Sequence, residues 1–249
     1  MSPVREVVWH DLECGVYDAD LELWRMLAQE AGAGPVLDVG AGTGRVTLDL
    51  ARRGHEVVAF DADPRLLEAL AERGSGLPVE VVAGDARELA VDGRSFPLII
   101  VPMQTIQLFG GSAARLRFLE RAARHLSPGG TVAIAIADAR ESVGGDIAAG
   151  PATWDRLPLP DMTEIDGVVY SSRPVMLHDA GHCIGIERIR EVIDEAGGRE
   201  EETDIVYLDD VTAQRIEEEG AAVGLRPLPR LDVPQTDEYV GSTVVMLGA

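Results

Sequence analysis

The sequence predicts an α/β protein built on a doubly wound, mostly parallel sheet, and three observations carry that reading. Short apolar runs of strand length recur at 35–39, 56–60, 79–82, 97–101 and 131–137. Segments of helical period alternate with them, the pattern of a parallel sheet with right-handed crossovers. The first run also passes directly into a glycine-dense turn, Gly40-Ala41-Gly42-Thr43-Gly44.

Taken in order, the first strand (35–39) leads through that turn to a helix opening near Thr43, with Val46 and Leu50 on one face. The second (56–60) is followed by Asp63 and Pro64, an N-cap and a first-turn proline for a helix carrying Leu66, Leu67 and Leu70. After strands at 79–82 and 97–101, the segment 112–126 puts Leu116, Leu119, Ala123 and Leu126 on one helical face. It stops at Ser127-Pro128-Gly129-Gly130, before a fifth strand at 131–137. From Ala139 to Asp166 the chain is rich in Gly, Pro and acids without a clear period. Strand-like runs follow at 167–177 and 183–192, with a third near 202–208. These read as an antiparallel insertion interrupting one domain, because a helix at 211–223 and two last strands, 226–233 and 239–247, resume the sheet. The expected organisation is a single domain over 1–249: a helical cover at 1–34, a core at 35–138, an insertion at 139–208 and a C-terminal part at 209–249. The run Glu217-Glu218-Glu219 reads as the solvated face of the last helix.

Composition narrows the chemistry. All 22 basic residues of the 249-residue chain are Arg, against 43 acids, for a net charge of −21, and neither Lys nor Asn occurs. Schiff-base and phosphate-loop lysines, the tyrosine/lysine pair of short-chain dehydrogenases and any ligating asparagine are therefore excluded. With 46% hydrophobic and 26% charged residues, the chain has ordinary soluble composition. The excess of acid repels polyphosphate, so small molecules are expected as partners, with no nucleic acid and no membrane; a homodimer is left open. Cys14 and Cys183 lack metal spacing, and residues 1–13 hold no signal-type apolar stretch, so the expected compartment is the cytoplasm.

The glycine turn allows positive φ and close backbone approach to a ligand at a helix start. An unliganded turn and a dinucleotide fingerprint are the alternatives. The fingerprint spacing is Gly-x-Gly-x-x-Gly, whereas here it is Gly40, Gly42 and Gly44, with Asp38 two residues ahead. A carboxylate there suits a ligand with a cationic end and would repel a pyrophosphate. A carboxylate ending the second strand, Asp61, is the ribose-hydroxyl reader of such a crevice. Asp85 also reads as a helix N-cap.

The stretch Val36-Leu37-Asp38-Val39-Gly40-Ala41-Gly42-Thr43-Gly44-Arg45 resembles the first motif of the class I S-adenosylmethionine-dependent methyltransferases. So do Val57 to Pro64, Val82-Ala83-Gly84-Asp85-Ala86 and Pro128-Gly129-Gly130. The resemblance implies a Rossmann-like seven-stranded sheet, mostly parallel with its last strand antiparallel. It implies S-adenosylmethionine as cofactor and S-adenosylhomocysteine as product. The implied contacts are Tyr17, Asp38, Gly40, Ala41, Gly42 and Gly44 around the methionine part, Asp61 and Ala62 at the ribose, Asp85 and Ala86 at the adenine, and Pro102. The leading segment through Trp24 is similar to the helix that covers the cofactor in small-molecule members; a packed helix with Leu21, Trp24 and Leu27 inward is the alternative.

At the fourth strand's exit the chain reads Val101-Pro102-Met103-Gln104-Thr105, without the Pro-Pro signature of base-amine enzymes, with Met where cytosine C5 enzymes carry Cys. A metal-dependent catechol type would need an asparagine, so the expectation is metal-independent transfer to oxygen or nitrogen of a metabolite. Candidate general bases are His178, His182 and His10, while His55 and His125 read as structural. Gln104, Gln107 and Asp138 follow strand ends and are candidate substrate contacts. The alternative function is a protein that binds the cofactor without methyl transfer, a cyclase or a binding module.

Overall fold

A computed structural model of the chain describes residues 5–91, 93–138, 158–236 and 240–249. Along the chain run α1 (Arg5–His10), a π-helical turn (Asp11–Gly15), α2 (Leu21–Ala31), β1 (Val36–Val39), α3 (Arg45–Arg52), β2 (Val57–Asp61), α4 (Pro64–Arg73) and β3 (Val79–Ala83). Then follow β4 (Phe96–Val101), α5 (Ser112–His125), β5 (Leu126–Ile136), β6 (Asp161–Ile165), β7 (Val168–Asp179), β8 (Cys183–Ile193) and β9 (Arg199–Asp209). The chain closes with α6 (Ala213–Ala222), β10 (Arg226–Pro227), β11 (Leu231–Val233) and β12 (Ser242–Gly248). Two compact units form: Tyr17–Ala137 with Val211–Ala249, and Met1–Val16 with Asp138–Asp210. Among the described residues no helix is long and apolar enough to cross a membrane.

The larger unit is the expected doubly wound sheet, in the order β10-β12-β5-β4-β1-β2-β3. β1 to β5 run parallel, and β12 lies antiparallel to β5. Both faces are covered, which is why the central strands are almost continuously apolar. On one face Trp24 and Leu27 of α2 and Val46 and Leu50 of α3 pack with Val36, Leu98 and Ile100. On the other, Phe118 and Leu119 of α5 and Ile216 of α6 pack with Leu37, Val39, Ile99 and Val101. The chain leaves β1 with β2 on one side and β4 on the other, the switch point at which an open α/β sheet carries its crevice. Asp63 caps α4 by accepting from the Arg65 amide (2.9 Å), with Pro64 in the first turn, as the sequence implies.

Two expectations are corrected here. The strand read at 226–233 is broken into β10 and β11, both paired with β12, so among the described residues the sheet has eight strands where seven were expected. Pro227 and Pro229 interrupt it, since proline has no amide hydrogen for a ladder. Glu219 is not on a solvated face. It shares the inward side of α6 with Ile216 and Gly220, and its carboxylate grips Arg115 of α5 through two 2.9 Å bonds.

The smaller unit is a four-stranded antiparallel sheet, β6-β7-β8-β9. β6 falls in the stretch read as aperiodic. It joins β7 through Asp166-Gly167, both with positive φ (51° and 78°), the two-residue turn that matches strand twist. The leading segment belongs here in part: Val8, Trp9 and Leu12 pack with Tyr170, and Glu13 takes bonds from Arg190 and Ser172. The expected cover at 1–34 is therefore divided, with residues to Val16 joining the insertion sheet and α2 staying on the larger unit. The irregular stretch up to residue 157 and the start of the last strand at Tyr239 lie outside the described residues.

Candidate functional site

Asp38, the next-to-last residue of β1, sits between β2 and β4 and is 1% exposed. Its Oδ2 accepts from the Thr47 hydroxyl at 2.6 Å. Its Oδ1 is buried and has no hydrogen-bond partner among the described residues. Burial above all pushes this carboxyl up to about 6, with the charges of Asp61 and Asp20 adding to it and the Thr47 bond and the Arg45 charge opposing.

Past Val39 the backbone turns sharply, and the amides of Gly40 and Ala41 both donate to the Phe60 carbonyl (2.8 and 3.2 Å). Gly40, Gly42 and Gly44 have φ of 77°, 54° and 99°, a region L-residues avoid. At Gly40 a Cβ would also stand 2.4 Å from the Thr105 side chain, so the loop after β1 lies directly against the turn after β4. Asp61, the last residue of β2, closes this cradle: its Oδ2 accepts from the Gly42 amide (2.8 Å) and its Oδ1 from the Asp63 amide (2.9 Å). Each oxygen keeps a further lone pair for a ligand hydroxyl. Ala62 is exposed beside it.

Asp85 lies just beyond β3, where the Gly84 amide bonds the Asp61 carbonyl (2.9 Å). It caps the short turn Ala86–Glu88 and holds the Arg87 guanidinium, through Nε at 2.8 Å and Nη2 at 2.5 Å. Those bonds hold its carboxyl down at about 2. Ala86 is half-buried against the core. Asp38, the three glycines, Asp61 and Asp85 thus gather at the carboxyl ends of β1, β2 and β3.

After β4, Pro102 is buried, and its carbonyl accepts from the Thr105 hydroxyl at 3.0 Å. Met103 has φ 55°, a left-handed backbone that is rare for a bulky residue and collects at functional turns. Gln104 is half-buried next to it. Gln107 is buried, and its amide is matched to the backbone of Ala137, donating to the carbonyl and accepting from the amide at 3.1 Å each. This places Gln107 in a structural pairing rather than with its amide open to a substrate. Asp138 is exposed at the start of the smaller unit.

The three candidate bases all belong to the smaller unit. His10 ends α1, His178 bonds Glu187 through Nε2 (2.5 Å), and His182 sits in an exposed turn with Nδ1 against the Ala180 carbonyl (3.1 Å). His125 is structural, with Nδ1 on the Arg94 carbonyl (3.1 Å).

Sequence reasoning missed one constellation in the larger unit. Arg45, the first residue of α3, bonds both oxygens of Asp20 (2.5 and 2.9 Å) and the Tyr17 carbonyl (2.8 Å), and lies 5.1 Å over the Tyr17 ring. Asp20 also accepts from the Trp24 indole at 2.7 Å. The signal was present as an acid four residues before an inward Trp.

A family model described as a methyltransferase domain matches residues 36–130. The cypemycin N-terminal methyltransferase of a Streptomyces species is 34% identical over 130 residues, 51% of this chain and 53% of that protein. The ribosomal RNA small subunit methyltransferase A of Deinococcus radiodurans is 43% identical over 70 residues, 27% of this chain and 24% of that protein. The chain thus spans from a quarter to about half the length of the curated relatives it matches. Among solved structures, the sugar N-methyltransferase KedS8 from a Streptoalloteichus species superposes with a TM-score of 0.75 at 21% identity, over 98% of this chain and 93% of that one, a likeness of fold. The matched segment holds the acid and glycine turn just described, so residues 36–130 are those of a methyltransferase domain, with the sheet of the S-adenosylmethionine-dependent class I fold around them.

Proposed function

We propose that the protein transfers a methyl group from S-adenosylmethionine to a nitrogen or oxygen of a small-molecule metabolite, without a metal. The observation that carries the reading is Asp38: a buried carboxylate with one oxygen lacking a partner among the described residues, beside a loop that only glycine can form. A buried acceptor in that state calls for a donor from a ligand, and a cationic amine satisfies both its hydrogen bond and its charge. The residues present therefore fit the cofactor. Asp38 and the loop Gly40–Gly44 would hold its amino-acid end, with Asp61 accepting from the ribose hydroxyls. Asp85 would stand at the adenine, although Arg87 already engages its carboxylate. Bound there, S-adenosylmethionine supplies an electrophilic methyl group for in-line displacement, a reaction that depends chiefly on alignment.

The chain's own contribution is to hold and orient. The left-handed turn at Met103 and the Gln107–Ala137 pairing fix the ends of β4 and β5, beyond which an acceptor would lie in such a sheet. An amine acceptor needs only to arrive unprotonated, and the surrounding carboxylates would favour its approach. The cypemycin enzyme is named for an N-terminus, a position that ordinarily carries an amine, and this favours nitrogen as the acceptor atom. A ribosomal RNA enzyme is also among the relatives, but a net charge of −21 opposes an RNA substrate here.

Calorimetric titration with S-adenosylmethionine and S-adenosylhomocysteine tests the reading. Binding in the micromolar range is expected, and the absence of heat from a folded sample at several hundred micromolar ligand would remove it.

A further inference from the structure

The buried pair of Arg45 and Asp20 has no role in the reading above, yet it joins the glycine loop to the segment that precedes it. Its two side chains are 9% and 2% exposed. Burying two charges costs desolvation that their attraction often only offsets, and apolar replacements of the same volume are frequently as stable. The pair is thus better explained by what it positions than by stability. Arg45 directly follows Gly44, the last glycine of the loop, at the start of α3. Its fork reaches a main-chain carbonyl, that of Tyr17, as well as the Asp20 carboxylate, and so fixes the path of the backbone and not only a side chain. Asp20 is tied in turn to Trp24, which is fully buried in the core. The guanidinium also lies over the Tyr17 ring. Both charges act on Asp38 in opposite directions, which places the pair close to that acid. Because Asp20 neutralises Arg45, no net positive charge is left beside Asp38 to compete with the cationic end of a ligand.

We propose that the Arg45–Asp20 pair is a positioning device that holds the Tyr17–Trp24 segment beside the glycine loop in its ligand-ready form, so that the methionine end of the cofactor site is built before the cofactor arrives. This rests on the cofactor reading given above. A segment that occupied this form only about one tenth of the time would weaken apparent affinity about tenfold without any lost ligand contact.

The experiment compares two ligands by calorimetry: S-adenosylhomocysteine, and 5′-methylthioadenosine, which keeps the nucleoside and sulfur but lacks the amino-acid portion. The variants are Arg45→Met and the double variant Asp20→Leu with Arg45→Met, the second removing both buried charges so that folding is retained. The expected result is S-adenosylhomocysteine weakened about tenfold or more in both, methylthioadenosine changed less than about twofold, and faster amide exchange in residues 17–24 of the free protein. Equal loss for both ligands in a folded variant would reduce the pair to general structure and overturn the proposal, as would unchanged affinity for both. Failure of the wild-type protein to bind S-adenosylhomocysteine would overturn the cofactor reading itself.

Discussion

Asp38 is held up at about 6 by burial, whereas a cationic ligand requires it ionised. Binding should therefore expel a proton near pH 6, and affinity for S-adenosylmethionine should fall below that pH, by up to about tenfold per unit. Calorimetry between pH 5 and 8 in two buffers of different ionisation enthalpy reads both effects. Stability of the free protein follows the opposite sense. The folded state retains this proton more tightly than the unfolded chain, so the contribution is present in acid and lost as pH rises from about 4 through about 6. At Gly40, an alanine would meet both a φ of 77° and the Thr105 side chain, so Gly40→Ala should cost about 1–3 kcal/mol in urea unfolding and weaken cofactor binding. The placement of Asp38, Asp61 and the glycines was legible because it depends on distance along the chain from a strand end. Asp20 was harder to read, since its Arg45 partner lies 25 residues away and its local mark is the inward Trp24 four residues on.

Between elements, the Arg115–Glu219 pair ties α5 to α6, with both side chains almost fully buried. Removing Arg115 leaves the buried Glu219 carboxylate to the half-exposed Arg215 at 3.2 Å, so Arg115→Met should cost up to about 3 kcal/mol, and adding Glu219→Leu should recover most of it. Denaturant midpoints of the single and double variants measure this. The acidic run that contains Glu219 looks solvated in sequence, and only the helical phase set by Ile216 shows that one of its members turns inward. β6 was hidden for another reason: its residues are mostly exposed, and its clearest marker is the Asp-Gly turn that follows it. The strand broken at Pro227 and Pro229 shows the reverse case, where prolines visible in the sequence outweighed an apolar pattern.

For the molecule as a whole, alternation of strands and helices made the parallel sheet legible, because each crossover is local. The grouping of the first residues with the insertion was not, since the Glu13–Ser172 bond spans 159 residues. The net charge of −21 acts at this scale too. Unbalanced acids repel one another across the surface, and salt screens that repulsion more than it weakens exposed ion pairs of small individual worth. Raising sodium chloride from about 20 to about 200 mM should therefore increase the melting temperature by a few degrees. A fall would mean that the arginine pairs outweigh the excess acid.

The Gln107–Ala137 pairing has a meaning beyond anchoring. A planar amide presents a donor and an acceptor side by side, as a peptide group does, so this side chain meets Ala137 as one rung of a neighbouring strand would. Asparagine could offer the same group, but it is missing from this chain's alphabet. Glutamine is thus the sole letter available to imitate backbone, and a change to glutamate would set a carboxylate against a carbonyl where the sheet ends.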